Sequence, residues 1–149
     1  MNQKTALFVC IHNSARSQMA EAFLKHHASD LFVRVESAGI EAGTLNPLVV
    51  KAMAEKGIDI SQNRTKKAME FVASGTHFDY VITVCDEANA ERCPIFPGIH
   101  TRLRWFFTDP STLKGTDEEK LSKIRPIRDE IEEYIVNWAE SLRIKFQEA

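Results

Sequence analysis

Four short segments along the chain are predicted to be strands, and residues 6–10 and 80–84 have the composition of buried ones. The first two cover residues 6–10 and 31–37, and the second of these stops before Gly39. The β-branched run at residues 80–84 is the clearest of the four, and residues 101–105 form the last. The pattern therefore predicts four strands that are well separated from one another along the chain.

Segments with helical spacing lie between these strands. A first helix begins at Arg16, and four side chains share its apolar face: Met19, Ala22, Phe23 and His26. Three polar side chains fall on its other faces: Gln18, Glu21 and Lys25. Asn46 and Pro47 open a second helix that ends at Gly57, and residues 65–73 predict a third.

The last helix has its own start signal. Thr116 and Glu119 have the spacing of a capping box, and apolar residues recur at helical spacing from Ile124 to Leu142. Pro126 lies inside this stretch, so we expect it to kink or divide the helix. Strands that alternate with helices predict an α/β fold in which a parallel sheet is covered on both faces.

Composition narrows the function classes. The 149 residues suit one domain spanning residues 1–149, and the hydrophobic share of 44% suits a packed core. The net charge of −2 offers no field that attracts nucleic acid or an anionic membrane. The apolar stretch near the N-terminus is too short for a signal peptide or a membrane span, which favours the cytoplasm. Three cysteines without a C-x-x-C pair then predict neither structural disulfides nor a metal site.

The segment between the first strand and the first helix has the chemistry of an oxyanion-binding loop. Cys10 ends the strand, at the edge where parallel sheets bind ligands. A strand-to-helix turn directs backbone N–H groups at an anion, and the Arg16 guanidinium suits two oxygens at once. The same field favours a Cys10 thiolate, which a hydrogen bond from Ser17 would hold. The predicted oxyanion-binding residues are Ile11, His12, Asn13, Ser14, Ala15, Arg16 and Ser17. The alternative is a buried strand-end cysteine beside an exposed arginine.

Three more residues suit the steps that would follow an attack by Cys10. Asp109 precedes a proline on a loop and is a candidate acid for a leaving oxygen, although Asp-Pro also forms a simple turn. Cys85 follows the third predicted strand and therefore shares the sheet edge with Cys10. A helical segment between Cys85 and Cys93 would separate their thiols, which suits a redox relay better than a structural disulfide. Two unrelated thiols are the alternative.

Together these residues resemble the thioredoxin-coupled arsenate reductases, which are built on the low-molecular-weight tyrosine phosphatase fold. The resemblance runs nearly end to end, and its motifs are specific as a set. It rests on residues 8–10, 13–14, 16–21, 36–41, 46–47, 57–61, 93–94, 105, 109–110 and 127–131. It implies a single-domain three-layer sandwich with a central four-stranded parallel sheet.

The resemblance also implies a reaction. Cys10 attacks arsenate held by the loop and Arg16, and Asp109 protonates the departing oxygen. Cys85 then attacks Cys10 and releases arsenite, and Cys93 moves the disulfide to the Cys85–Cys93 pair. Thioredoxin is the implied reductant, with glutaredoxin or a low-molecular-weight thiol left open. Such an enzyme of arsenic detoxification would need no cofactor, would act as a monomer, and would bind phosphate or sulfate as competing anions.

Some positions depart from the family pattern. His12 and Ala15 replace a glycine and a cysteine in the loop, and His12 either approaches the anion or faces solvent. The interval from Cys85 to Cys93 is one residue longer than the familiar one.

Potassium binding is a further point of departure. Some members hold this ion with an asparagine, a glutamate, a serine and an aspartate. Asn13, Glu21 and Ser37 match the first three, but Lys66 takes the aspartate position. We therefore predict that an ammonium replaces the ion, unless Lys66 simply points to solvent.

Two other functions compete with arsenate reduction. A tyrosine phosphatase with the same loop needs neither Cys85 nor Cys93, and it usually has aromatic residues just after the Asp-Pro. Ser111 and Thr112 follow here, so we expect at most weak phosphatase activity. An oxyanion sensor is the second alternative, but it would not require three placed thiols.

Overall fold

The computed structural model describes residues 3–85, 96, 98 and 100–147. Cys93, the predicted last member of the relay, lies outside the described residues. The elements in chain order are β1 (Lys4–Cys10), α1 (Arg16–His27), β2 (Phe32–Gly39), α2 (Pro47–Ala54), α3 (Ala68–Ala73), β3 (Tyr80–Thr83), β4 (Thr101–Arg104), a 3₁₀ turn (Pro110–Thr112) and α4 (Asp117–Gln147).

The sheet in this part of the chain has four parallel strands in the order β2-β1-β3-β4. Cys10 of β1 pairs with Gly39 at the end of β2, and Val9 pairs with Thr83 at the end of β3. The carboxyl ends of the three strands therefore form one edge. The α/β fold with a four-stranded parallel sheet is confirmed.

Helices cover both faces of the sheet, which completes the three-layer sandwich. The larger apolar cluster lies on the side of α1 and α4 and includes the fully buried Phe8 and Phe23. The smaller cluster includes Leu7 and Val9, and Phe71 of α3 packs against it. Each large side chain buried in this way stabilises the fold by about 1.5–3 kcal/mol.

The C-terminal helix α4 is not divided at Pro126, so a kink is the form of the sequence expectation that stays a prediction. A proline inside a helix costs about 3 kcal/mol. That cost is offset because α4 buries five apolar side chains on the core: Ile124, Ile131, Ile135, Ala139 and Leu142. The predicted capping box at its start is present, with the Glu119 N–H donating to Thr116 Oγ1 at 3.1 Å. No helix within the described ranges combines the length and apolarity needed to cross a membrane.

Two helices closer to the sheet edge also correct the sequence pattern. The third helix begins at Ala68 rather than at residue 65, because Lys67 instead forms a bridge with Gly39 at the end of β2. In α1, Gln18 and Glu21 are buried although they lie off the apolar face, whereas His26 is exposed. Both side chains have polar partners in the interior: Gln18 donates to the carbonyl groups of residues 13 and 64, and Glu21 accepts from Ser37 of β2.

Candidate active site

The loop between β1 and α1 is tied to its surroundings through its carbonyl groups. Four of these accept hydrogen bonds of 2.8–3.0 Å from backbone N–H groups within residues 40–46: those of Cys10, Ile11, His12 and Ser14. The Asn13 carbonyl accepts one from Gln18 Nε2 at 3.1 Å. Because the N–H and C=O of a peptide unit point in opposite directions, the amides of residues 11–15 face away from these partners. The loop thus has the backbone arrangement that an anion requires.

The Cys10 sulfur receives two polar contacts from this loop and from α1. The Asn13 N–H donates to Sγ at 3.2 Å, and Ser17 Oγ lies 2.9 Å from it. Asn13 itself has a positive φ of 56°, which is uncommon for a residue with a side chain. The predicted contact between Ser17 and Cys10 is therefore present, and it lies in the buried interior of the site.

The first turn of α1 has no side-chain cap. Its N-cap residue is Ala15, and the first intrahelical bond runs from the Met19 N–H to the Ala15 carbonyl. The amides that precede Met19 in a helix have no partner within the helix. Together with the helix dipole, these amides favour an anion at this position.

Arg16 and Asp109 meet at the same place. The Arg16 side chain is only 3% exposed, and its Nη1 donates to the Phe107 carbonyl at 3.2 Å. Its Nη2 lies 3.5 Å from Asp109 Oδ2. The other carboxylate oxygen, Oδ1, accepts a hydrogen bond from the Ser111 N–H at 2.9 Å. The structure therefore brings the predicted acid beside the predicted anion-binding arginine.

A cleft of about 480 Å³ opens between this loop and the Asp109 segment. Its walls include Ser14 and Pro47 on one side and Pro110 and Ser111 on the other. No described residue that lines it is aromatic. Cys10, Arg16 and Asp109 are not among the residues that line it, so this cleft flanks the anion-binding loop and does not itself contain the nucleophile.

Cys85 lies two residues beyond β3, on the strand that neighbours β1. The Val84 N–H donates to the Val9 carbonyl at 2.8 Å, which continues the pairing up to this point. Cys85 is fully buried and belongs to the same apolar cluster as Cys10. The two thiols that the sequence places on one edge therefore also share one side of the sheet.

Lys66 lies among the residues that correspond to the potassium ligands. Its Nζ is 3.1 Å from Glu36 Oε1 and 4.0 Å from Glu21 Oε1. Ser37 Oγ donates to Glu21 Oε1 at 2.6 Å, and the Lys66 N–H donates to Asn13 Oδ1 at 3.0 Å. Burial alone would raise the pKa of Glu36, but hydrogen bonding and the charge of Lys66, aided by Arg34, hold it below its usual range.

The oxygen atoms that would have to bind potassium here do not fit such a site. The Asn13 and Glu21 oxygens already accept hydrogen bonds, and the Lys66 ammonium brings a positive charge of its own. The ion would have to displace these contacts and lie close to a like charge. The structure gives the position of the Lys66 ammonium, and its replacement of the ion stays a prediction.

His12 stands at the rim of the loop. Its side chain is 47% exposed, and Nδ1 lies 3.7 Å from Glu41 Oε2. Among the described residues, Asn13 and not His12 takes the positive φ, so the bulk of His12 causes no backbone strain. Both alternatives for its imidazole therefore remain compatible with the fold.

Sequence reasoning missed two residues that shape the site. The helical pattern places Gln18 off the apolar face of α1, yet its side chain is 1% exposed and donates to the Asn13 carbonyl of the loop. Gly39 ends β2 against the loop, and a Cβ there would lie 2.7 Å from the Asn13 nitrogen. A glycine directly after a strand is a signal for such a close approach, whereas nothing in the sequence reports the burial of Gln18.

Comparison with known proteins agrees with this geometry. The sequence model of the low molecular weight phosphotyrosine protein phosphatase family matches residues 5–148. The chain belongs to this family. A curated relative in the family's arsenate reductase group, from Bacillus licheniformis, is 45% identical over 141 residues, which cover 95% of this chain and 99% of the relative.

Solved structures of arsenate reductases are also similar to this chain. An arsenate reductase from Archaeoglobus fulgidus aligns with a TM-score of 0.66 at 31% identity and covers 91% of this chain and 98% of its own. A thioredoxin-dependent arsenate reductase from Corynebacterium glutamicum aligns with a TM-score of 0.68 at 30% identity. That match covers 97% of this chain and 64% of the other.

Proposed function

We propose that this protein reduces arsenate to arsenite with Cys10 as the nucleophile. One observation carries the proposal: the Cys10 sulfur accepts a hydrogen bond from the Asn13 N–H of a loop that ends at Arg16, and the Arg16 guanidinium contacts Asp109. The arsenate reductases among its relatives support the choice of substrate. Phosphate and sulfate, which are also tetrahedral oxyanions, would compete for the same loop.

The first step is attack on arsenic. The loop amides and Arg16 hold three arsenate oxygens, and the Cys10 thiolate forms a sulfur–arsenic bond. The fourth oxygen departs as water after Asp109 gives it a proton. Arsenic is still pentavalent at this stage, so no electrons have moved to it.

The second step moves the electrons. The Cys85 thiolate attacks the Cys10 sulfur and forms a disulfide, and the electron pair of the sulfur–arsenic bond stays on arsenic. Arsenite, now trivalent, leaves. Cys93 then attacks Cys85, which restores the Cys10 thiolate and leaves a Cys85–Cys93 disulfide. The position of Cys85 just after β3, which pairs with β1, and in the same apolar cluster as Cys10 supports this order.

A dithiol protein of the thioredoxin class would reduce that disulfide. The support is the thioredoxin dependence of the relative from Corynebacterium glutamicum. The reducing cytoplasm is the compartment where such a cycle runs. Glutaredoxin and low-molecular-weight thiols are the alternative reductants.

The test is arsenate-dependent oxidation of NADPH in the presence of thioredoxin and thioredoxin reductase. We expect steady turnover with the wild-type protein, none with Cys10→Ser, and at most one turnover with Cys85→Ser or Cys93→Ser. Parallel assays with glutaredoxin or a small thiol identify the reductant. Full turnover by Cys85→Ser would refute the relay.

A phosphatase is the second candidate, and the loop geometry favours it because phosphate has the same shape as arsenate. Hydrolysis would need water rather than Cys85 to attack the cysteinyl intermediate. Ser111 and Thr112, rather than aromatic residues, follow Asp109-Pro110, which argues for a weak activity on aryl phosphates. We therefore expect slow hydrolysis of p-nitrophenyl phosphate that requires Cys10 and tolerates Cys85→Ser.

A further inference from the structure

Gln18 is an uncharged, buried side chain whose amide orientation is fixed by its partners. Its Nε2 lies 3.1 Å from the Asn13 carbonyl and 3.2 Å from the Arg64 carbonyl. Carbonyl oxygens only accept, so the NH₂ group must face them. Asn63 Nδ2 lies 3.1 Å from Gln18 Oε1, which agrees with this orientation.

The Lys66 backbone N–H and Gln18 together fix the orientation of the Asn13 side chain, and Gln18 shares its two NH₂ protons among three oxygens. Asn13 Oδ1 receives Gln18 Nε2 at 3.1 Å and the Lys66 backbone N–H at 3.0 Å, and both groups are donors. The Asn13 NH₂ group therefore faces the other way, towards Ser17 Oγ at 2.8 Å and Ser37 Oγ at 2.9 Å. If the Asn13 amide were flipped, its NH₂ group would face these two donors and both hydrogen bonds would be lost.

Among the described residues, the Ser17 hydroxyl then has one acceptor for its proton. Its oxygen accepts from Asn13, and the remaining contact of its hydroxyl is Cys10 Sγ at 2.9 Å. Ser37 is in the same position but donates to the Glu21 carboxylate instead. The chain of donors thus runs from Gln18 through Asn13 and Ser17 and ends on the sulfur.

We propose that Gln18 is a positioning residue that turns the Ser17 hydroxyl proton towards Cys10 and thereby favours the thiolate. The inference rests on the proposed role of Cys10 as the nucleophile. Gln18 does not touch the reacting atoms and acts through Asn13 and Ser17. A hydrogen bond to a charged acceptor is stronger than one to a neutral acceptor, so a fixed donor stabilises the thiolate more than the thiol.

The test is a double-mutant cycle between Gln18→Met and Ser17→Ala. The readout is the rate at which iodoacetamide alkylates Cys10 across the pH range, with peptide mass spectrometry separating Cys10 from the other cysteines. We expect Ser17→Ala to slow alkylation near neutral pH by about tenfold, because a hydrogen bond to a charged group is lost. Gln18→Met should slow it by less, because Lys66 still holds the Asn13 oxygen. The rates should converge with that of the wild type at alkaline pH, where the thiolate forms in every variant. The double variant should be no slower than Ser17→Ala alone.

Two controls protect this result. Gln62→Met changes an exposed glutamine on the neighbouring segment and should leave the pH profile unchanged. If Gln18→Met does not fold, Gln18→Asn replaces it in the same cycle, because it keeps an uncharged amide but is too short to reach all of the present partners. An unchanged profile in the Gln18 variant, or effects that simply add, would overturn the inference. Alkylation involves no arsenate, so this outcome is independent of whether Cys10→Ser abolishes arsenate reduction.

Discussion

The nucleophile and the candidate acid of this site are held in different ways. The Cys10 loop is fixed by backbone bonds to residues 40–46 and by a buried side-chain network around Asn13. The Asp109 carboxylate caps a short 3₁₀ turn and contacts the end of the loop through Arg16, whose Nη2 lies 3.5 Å from it. The contacts that hold the Cys10 loop are therefore present without substrate, whereas the Asp109 carboxylate contacts the loop through one arginine side chain.

The largest effect should come from removing the acid without disturbing the loop. Asp109→Asn keeps the shape of the side chain and its bond to the Ser111 N–H, but it cannot supply a proton. We expect the single-turnover rate of arsenate reduction to fall by about 10²–10⁴-fold. Cys10 alkylation should stay as in the wild type. If the rate of Cys10 alkylation fell by the same factor, the Cys10 loop and the Asp109 carboxylate would not be held independently of each other.

A smaller but broader effect should follow from crowding the loop. Gly39→Ala places a Cβ 2.7 Å from the Asn13 nitrogen and from the His12 carbonyl carbon, so the backbone must shift. We expect a loss of about 1–3 kcal/mol in the free energy of unfolding and weaker protection of Cys10 by phosphate.

Gly75→Ala is the matched control for that variant. Gly75 has a φ of 70° but nothing within 4 Å of an added Cβ, and it lies away from the loop. It should lose stability through backbone strain and keep phosphate binding. Equal effects of the two variants on binding would contradict the close approach of Gly39.

A modest effect is expected from an ion pair that joins α2 to α4, remote from both parts of the site. Hydrogen bonds from Arg125 and then Arg128 lower the pKa of Glu55 to about 2. Its contribution to stability is therefore complete above its ordinary pKa near 4.5 and is lost as the pH falls towards 2. Glu55→Gln should lower the melting temperature at neutral pH, and the difference should vanish near pH 2. A difference that persists at low pH would assign it to packing.

The smallest effect concerns the cation. Because the Lys66 ammonium lies against Glu21 and Glu36, we expect equal melting temperatures in sodium and potassium chloride at one ionic strength. Differential scanning fluorimetry measures this directly. A large stabilisation that is specific to potassium would defeat the prediction.

Much of the fold was accessible from the sequence because buried parallel strands are short and strongly apolar. The runs that became β1 and β3 needed no tertiary information. The start of α3 at Ala68 could not be read in this way, since the preceding residues are drawn into contacts with Gly39 and Asn13. Pro126 does not divide α4, because the packing of the helix outweighs a local penalty.

The site shows the same division between local and remote information. The Cys10 loop is contiguous, so its spacing indicated its chemistry. The proximity of Arg16 to Asp109 came from the family resemblance and not from spacing, since the two residues are far apart in the chain. The burial of Gln18 depends on carbonyl groups of residues 13 and 64 that only the fold places around it.

The central claim is that two thiols of this chain supply the electrons that reduce arsenate. The most direct measurement treats the reduced protein with excess arsenate, without any other reductant, and counts arsenite released against thiols lost. The account predicts about one arsenite for every two thiols oxidised, and no arsenite from Cys10→Ser. Thiol loss without arsenite, or arsenite released from Cys10→Ser, would contradict it.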